Sequence, residues 1–418
     1  MLSLLGLLVG LALLIWLALR GVELLVAAPL CALLVALASG FAPFPQLAAE
    51  GAPSFTAAYM QGFVGFVQAW FFMFLLGSLF GKVMEASGAA DAVSHWIIGK
   101  LGRGNAIAAV VIACAVLTYG GVSLFVVAFS VYPLALAMFR EAKLPRRFIP
   151  GTIAFGSVTF TMTSAGSPEI QNWIPIQYLG TTPWAAWEAS LVTALFMAAL
   201  GQLWLGWMLK RAKARGERFV ARDGDPGELR SDLPPLWAAL LPTLVVLGTS
   251  FALHGPLGVS ALIVALLAGC AAVGLLCLRT LRAPGKAIGE GSTGALVAIG
   301  NTAAVVGFGA VAKLSPAFDV AVDAITHMPG SDVATAALAV SLIAAMTGSA
   351  SGGQAIALPI LAPIFLAQGV NPEQLHRSVA ISSGVLDSLP HNGYVVTTIR
   401  AICGETDKAP YLPVGALT

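Results

Sequence analysis

The sequence predicts an all-α polytopic membrane protein built from two inverted repeats, each with a re-entrant helical hairpin and a discontinuous transmembrane helix. Three observations carry this reading. Hydrophobic residues make up 58% of the chain and charged residues only 10%, against about 25% charged in soluble domains, and the mean hydropathy is +0.87. Polar, hydroxyl-rich stretches then interrupt the apolar runs: Thr118-Tyr-Gly-Gly-Val-Ser123, Thr163-Ser-Ala-Gly-Ser-Pro-Glu-Ile-Gln-Asn172, Thr347-Gly-Ser-Ala-Ser-Gly-Gly-Gln354 and Asp387-Ser-Leu-Pro-His-Asn-Gly393. Irregular backbone at membrane depth is tolerated only where protein buries it or where it lines a water-filled cavity. Finally, aligning Pro145 with Pro372 makes the order recur at an offset of about 227 residues, with Gly166 on Gly393 and Ser164 on His391.

Taken in order, spans at 2–19 and 22–41 are joined by a short turn with Arg20 and Glu23, read as cytoplasmic. The apolar start runs straight into a second span and lacks a basic flank, so a spanning helix is expected there rather than a cleaved leader. The 42–56 connection has no Lys or Arg and is external by the positive-inside rule, which puts the amino terminus outside. A span at 57–81 ends at Lys82, and a short interfacial helix (Asp91, His95, Trp96, Lys100, Arg103) follows. The run 105–139 ends in Arg140, Lys143, Arg146 and Arg147 and so must cross an even number of times. Its first arm is only about 20 Å long, short of a roughly 30 Å hydrocarbon core, which predicts a re-entrant hairpin. A helix at 148–180 breaks at Ser164–Asn172, and a span at 184–208 completes the first repeat, 1–209. The basic segment 210–234 is the cytoplasmic linker.

The second repeat, 235–418, has spans at 235–253, 257–278 and 287–312, the last ending outside at Lys313. An amphipathic stretch (Asp319, Asp323, His327), a hairpin at 332–368 and a helix at 373–403 broken at Pro390–Gly393 follow, with the carboxy terminus inside. An odd number of spans between the copies inverts the second. Arg146 and Arg215 are thus expected in the cytoplasm, Lys313 and Arg377 outside. His95, His254, His327 and His376 fall at interfaces or loops and are read as solvated.

Several function classes are excluded or weakened. A net charge of +2, without a basic face, gives no basis for nucleic-acid binding. Five scattered cysteines suggest neither a disulfide framework nor a metal site, and no cofactor is expected. H-E-x-x-H and G-x-S-x-G are both missing, so an intramembrane enzyme ranks last. Inverted repeats with broken helices meeting near the midplane are a secondary-transporter signature, in which half-helix N-termini and unwound backbone form the site.

The candidate ligand-binding residues are Tyr119, Gly120, Gly121, Ser123, Ser164, Ser167, Asn172, Thr347, Ser349, Ser351, Gly352, Gln354 and Asn392. Each has a plainer reading. The glycines could serve helix packing, although adjacent pairs flanked by Ser and Thr suit a turn that offers N–H groups to an anion. The serines could bond back to their own helices. Glu169 could cap a half-helix, and Asp387 with His391, spaced i, i+4 before the break, could be a structural ion pair. Intramembrane ionisable groups are functional by default, and histidine titrates nearest neutrality, so His391, Asp387 and Glu169 are the candidate proton carriers.

Gly77-Ser-Leu-Phe-Gly-Lys-Val-Met-Glu-Ala-Ser-Gly-Ala-Ala90, echoed at Gly307-Phe-Gly-Ala-Val-Ala-Lys-Leu-Ser315, resembles the G-x-x-x-G-K-x-M-x-x-S-G-x-A segment of the gluconate permease (GntP) family of the ion-transporter superfamily. The 387–393 stretch is similar to a motif of hydroxy-acid permeases in that family. The resemblance implies proton-coupled uptake of a small carboxylate held by hairpin tips and helix breaks, in a bacterial-type plasma (inner) membrane, with a homodimer built on the non-hairpin spans. Gluconate-transporting members have a first break rich in Pro and His, whereas this chain has Thr161-Met-Thr-Ser-Ala-Gly-Ser-Pro-Glu169, which argues against gluconate itself. A cation/proton antiporter is the alternative on the same architecture, but it would favour more intramembrane carboxylates than Asp387 and Glu169.

Overall fold

The computed structural model describes the chain apart from Met1, Gly21, 102–104, Ser123, 223–230, Asp319, 321–329, Asp387, Pro390, His391 and 406–407. Among the described residues no strand forms, and five helices are long and apolar enough to cross a membrane: Phe55–Ala86, Trp187–Ala214, Leu236–Leu276, Pro284–Lys313 and Ala350–Ala367. Trp187–Ala214 leaves Val192, Leu195, Phe196 and Leu203 exposed along its length, a surface that water would penalise and lipid solvates.

Each half of the chain contains a hairpin followed by a broken helix. The first hairpin pairs Ala106–Tyr119 with Leu124–Glu141; the second pairs Asp332–Thr347 with Ala350–Ala367. The first arms have 14 and 16 residues, about 21 and 24 Å at 1.5 Å per residue. The first broken helix runs from Ile149 through a π-turn at Phe155–Thr159 to Thr163, then resumes as Ile170–Leu179. The second runs Pro372–Val385 and resumes at Gly393, leading into a π-turn at Thr397–Ile402. A final helix, Tyr411–Leu417, covers the start of the first broken helix, where Gly151 touches Pro413 closely enough that a Cβ would lie 2.9 Å from its carbonyl carbon.

Two expectations about the breaks are corrected. The second helix stops at Val385 and Leu386 is already non-helical, so the break opens ahead of the expected Pro390; the i, i+4 expectation concerns Asp387 and His391. The two residues themselves lie outside the described set. The first helix resumes at Ile170, which puts Asn172 in its first turn instead of in the break. The register shifts accordingly. The hairpins start at Ala106 and Asp332, an offset of 226 residues, but the resumed helices start at Ile170 and Gly393, an offset of 223. Ser164 therefore matches Leu386, the residue after the helix end, and not His391.

The chain divides into two compact units that do not follow its two halves. One comprises Met1–Phe71, Ile174–Thr181 and Leu296–Gly393; the other Phe72–Trp173, Thr182–Ala295 and Tyr394–Thr418. In the first, small residues bring helices together. Gly10 of Leu2–Leu19 lies against Val35 of Leu24–Ala38, and Gly62 against the backbone carbonyl of Val306. Ala27, Ala28, Cys31, Ala32, Ala304 and Phe308 form a close-packed core, and the Tyr59 hydroxyl donates to Ala304 O at 3.0 Å. Lipid offers no hydrophobic driving force between helices, so close van der Waals approach does this work. In the second unit Gly269 meets Val246 and Phe80, Gly156 meets Val111 and Cys114, and Ser78 Oγ donates to Gly291 O at 2.8 Å.

Gly353 is another such contact, and it corrects the expectation that the 352–353 pair makes a turn. The second hairpin turns at Gly348–Ser349 alone, and Gly352 and Gly353 sit in the helix that follows. A Cβ at Gly353 would lie 2.6 Å from Ala344 Cα and 2.8 Å from its nitrogen, so the two arms touch backbone to backbone. Gly353→Ala is expected to cost about 1–3 kcal/mol by overpacking, read as a lower apparent melting temperature of the detergent-purified protein. Gly289→Ala, on a helix and with nothing within 4 Å, should hold or gain stability in the same assay.

Candidate functional site

In the unit that contains the first break, the irregular backbone is bonded almost group by group. Ser164 turns extended (φ −99°, ψ 111°) after Thr163. Ala165 N–H donates to Ser190 Oγ at 2.8 Å, while the Ser190 hydroxyl donates to Thr163 O. Gly166 N–H donates to Pro183 O at 2.8 Å. Gly166 has φ +79°, and a Cβ there would fall 2.5 Å from the Trp184 ring, so no larger residue fits. Ser167 O accepts from Asn172 Nδ2 at 3.0 Å and Trp173 Nε1 at 3.1 Å, and Ser167 Oγ accepts from Glu169 N–H at 3.3 Å. Ser167 and Asn172, both predicted to bind ligand, thus use these groups on the break itself.

The first hairpin tip closes on this break. Tyr119 donates its hydroxyl to Ala165 O at 3.2 Å, and Gly121, at φ +87°, faces Pro168, where a Cβ would stand 3.1 Å from the ring. Gly120 is pressed on Thr243. Ser123 lies outside the described residues. Several buried oxygens of this unit have no partner: the hydroxyls of Thr159 and Thr161, Glu169 Oε1 and Gln171 Oε1. Sequence reasoning picked Glu169 alone from these. The threonines are β-branched residues in an apolar run, and nothing in their spacing sets them apart from packing residues.

The other unit repeats the relation. Gly348 is left-handed (φ +58°), and Ser349 caps the following helix by accepting Gly352 N–H at 3.1 Å; the Ser349 and Ser351 hydroxyls lie 3.3 Å apart. Asn392, at the end of the second break, donates Nδ2 to Gly348 O at 3.0 Å. In each half of the sequence, then, the hairpin tip is hydrogen-bonded to the break of the same half. Ser341 Oγ of the hairpin donates to Ser382 O of the broken helix at 2.8 Å, and Gln354 Nε2 donates to Ser383 Oγ at 2.8 Å. Ser383 was missed, although Ser382-Ser383-Gly384 is a visible polar run four residues ahead of Asp387. The Thr347 side chain, Asp387 and His391 are outside the described residues.

The outer ends of the broken helices are also fixed. Arg146, 7% exposed, donates Nε to Glu405 Oε1 at 3.0 Å, and Nη2 to the Tyr132 hydroxyl at 2.7 Å and Cys403 O at 3.1 Å. Arg222 of the linker reaches Glu405 Oε2 at 2.9 Å and Gly404 O at 2.8 Å, and Arg147 forks onto Glu217 at 2.7 and 3.1 Å. In the other unit His376, expected in solvent, has no exposed surface, and its Nδ1 shares a 2.6 Å hydrogen bond with Thr181 Oγ1. Arg377 is buried as well, at 2%. The start of each broken helix is thereby tied to the segment just beyond the other. The Ser157 and Tyr394 hydroxyls, 2.7 Å apart, add a link from the first π-turn to the residue after the second break.

A model of the GntP family permease matches residues 2–221. Over 98% of its length the chain is 36% identical to the uncharacterized transporter YxjC of Bacillus subtilis (strain 168), covering 94% of that protein. The chain belongs to the GntP permease family. An uncharacterized transporter of Haemophilus influenzae is 25% identical, over 77% of this chain and 74% of its own length. Among solved structures, the Alcanivorax borkumensis YdaH transporter superposes with a TM-score of 0.56 at 17% identity, over 98% of this chain and 94% of that one. Neisseria gonorrhoeae MtrF, described with a class of antimetabolite efflux pumps, gives 0.51 at 16%, over 97% and 95%. These two show a shared fold. The protein is therefore a multi-pass membrane transporter.

In this permease the Arg146–Glu405 pair is buried on both sides, with 8% and 4% of each side chain exposed. Removing one partner of such a pair leaves an uncompensated charge, at a cost of about 3–5 kcal/mol. The Arg222 arm is 37% exposed, and water screens most of its share. Glu405→Gln is expected to lower the apparent melting temperature sharply, and the double change Arg146→Met with Glu405→Met should recover most of the loss. A Glu405→Gln protein as stable as wild type would mean that the backbone contacts alone hold this end.

Proposed function

We propose that this permease is a secondary active transporter, a proton-coupled symporter that carries a small organic (hydroxy) acid anion by alternating access across a bacterial-type plasma (inner) membrane. The observation that carries the reading is the pairing of each hairpin tip with the helix break of its own half, through Tyr119 to Ala165 and Asn392 to Gly348. Two such elements, recurring in one order, support the inverted repeat of 1–209 and 235–418. The chemistry at the tips suits an anion. Ser349, Ser351 and Gly352 offer hydroxyls and a helix start, and in the same unit the resumed helix at Gly393 adds positive partial charge; the other unit has its own half-helix start at Ile170. A cation/proton antiporter would want several carboxylates there.

His391, between Val385 and Gly393 in the sequence, is the proposed proton carrier, with Asp387 four residues earlier and Glu169 as the next candidate. An imidazolium beside the bound anion neutralises it, which lowers the cost of crossing a low-dielectric barrier. Proton and anion then bind with reciprocal coupling of about 1–3 kcal/mol. The small carboxylate, the proton and the bilayer are the proposed partners, with a homodimer built on the non-hairpin spans. No cofactor enters.

Proteoliposomes with an imposed pH gradient, interior alkaline, should accumulate labelled short hydroxy acids, while cation gradients should leave a pH-sensitive dye in the same vesicles unchanged. His391→Gln is expected to abolish accumulation and retain some exchange down a gradient. Asp387→Asn should move the pH optimum downward, because losing a nearby carboxylate destabilises the imidazolium. Accumulation by His391→Gln at wild-type levels and pH dependence would move the coupling site to Glu169. Sidedness has its own test. Arg215 and Lys313 are exposed, and single cysteines there, in a background without native cysteines, should label from the cytoplasm and from outside respectively. Labelling of both from one side would sink the inverted arrangement.

A further inference from the structure

The side-chain amide of Gln354 is held in one orientation, and that orientation makes a chemical demand. Ser383 donates its hydroxyl hydrogen to Ala380 O at 2.9 Å, one helical turn back. Its oxygen can then only accept, and it accepts Gln354 Nε2 at 2.8 Å. Turning the amide over would set a carbonyl oxygen against that lone pair, so the serine fixes which end of the glutamine is which. The other end, Oε1, is left without a partner on a side chain that has no exposed surface. An unpaired buried amide oxygen is destabilising, and folded proteins keep few of them without a use.

Its place gives the use. Gln354 stands just over one turn into Ala350–Ala367, behind the Ser349 cap and the Ser351 hydroxyl, in the unit where Asn392 of the break bonds Gly348 of the tip. A carboxylate is the wrong partner for Oε1, because two acceptors repel. A donor is required. We infer that Gln354 is the specificity-determining residue of the transport site: its Oε1 accepts a hydrogen bond from a substrate hydroxyl close to the carboxylate, and Ser383 is the positioning residue that keeps that oxygen presented. This rests on the transport of a small organic acid proposed above and adds which substituent is read. A keto oxygen brings a second acceptor, and a deoxy carbon brings nothing, so either analogue leaves Oε1 unpaired. Sites built around a hydrogen bond discriminate in this way far better than apolar pockets do.

Four three-carbon acids that differ only at C2, namely lactate, propionate, pyruvate and alanine, make the test, with gluconate and hexanoate as the six-carbon pair. Each is assayed for stabilisation of the purified full chain and for uptake into proteoliposomes. The hydroxy acid of at least one pair should act at a concentration about tenfold to hundredfold below its deoxy counterpart. In Gln354→Met that preference should collapse to about one. Ser383→Ala, which keeps the glutamine and covers a Gln354→Met protein that does not fold, should narrow it, and Ser383→Thr should restore it. Equal action of hydroxy and deoxy acids in wild type, or an unchanged preference in both Gln354→Met and Ser383→Ala, overturns the assignment while leaving acid transport standing. Alanine ahead of lactate overturns it too, by naming an ammonium as the donor. If none of the six is bound or carried, the organic-acid reading itself fails and takes this inference with it.

Discussion

The organising constraint is that backbone N–H and C=O groups cannot be left unpaired in hydrocarbon. A helix satisfies them internally, so wherever this chain stops being helical at depth the missing partners must come from elsewhere. The first break shows the solution in full. Ser190, Pro183, Asn172, Trp173 and Tyr119 each supply a donor or acceptor to a stretch of six residues. Every one of those partners fixes a neighbouring element, so the need for satisfaction is also what positions the hairpin and the flanking span. Polar oxygens that stay unpaired after this, on Thr159, Thr161, Glu169 and Gln354, stand out because the rest is so thoroughly bonded.

How much of this could be read from the residues depended on the kind of signal. Apolar runs and Lys or Arg punctuation placed the spans within a few residues: Leu2–Leu19 was expected at 2–19, and Phe55–Ala86 at 57–81. The hairpins and breaks were visible because glycine and hydroxyl clusters have no business inside an apolar run. Where the signal failed, tertiary context had won. Pro390 marks the second break in the sequence, but the helix ends at Val385, before Asp387, where Leu386 gives no local cue. Gly352 and Gly353 resemble a turn, yet the helix holds them because the opposite arm needs the space. His376 and Arg146 look like loop residues and are buried, since their partners, Thr181 and Glu405, are far away in the chain. Partners at that separation leave no local trace.

The two ties at the helix starts differ in chemistry although they occupy corresponding places. One is a charged pair with two arginines on a single carboxylate, and the other is an imidazole–hydroxyl contact. Salt and local hydration act on the first through exposed Arg222, while the second is sealed. The two ends of the broken helices are therefore held with unequal sensitivity to the medium, a difference that a symmetric element order alone would not suggest.

The second hairpin has a further mechanical meaning. Its arms meet backbone to backbone at Gly353 and Ala344 and are joined by only two residues, so they cannot press together or slide past one another there without a collision. The tip end is braced by that contact. Any displacement of the tip is taken up along the second arm and at its root, where the chain passes through Gln368 to Gly369 at φ +84° before Asn371 caps the broken helix. Between the tip and that root the second arm carries Pro359 and Pro363, which remove backbone hydrogen bonds and let it bend before it reaches the segment that carries Ser383 and leads into the second break.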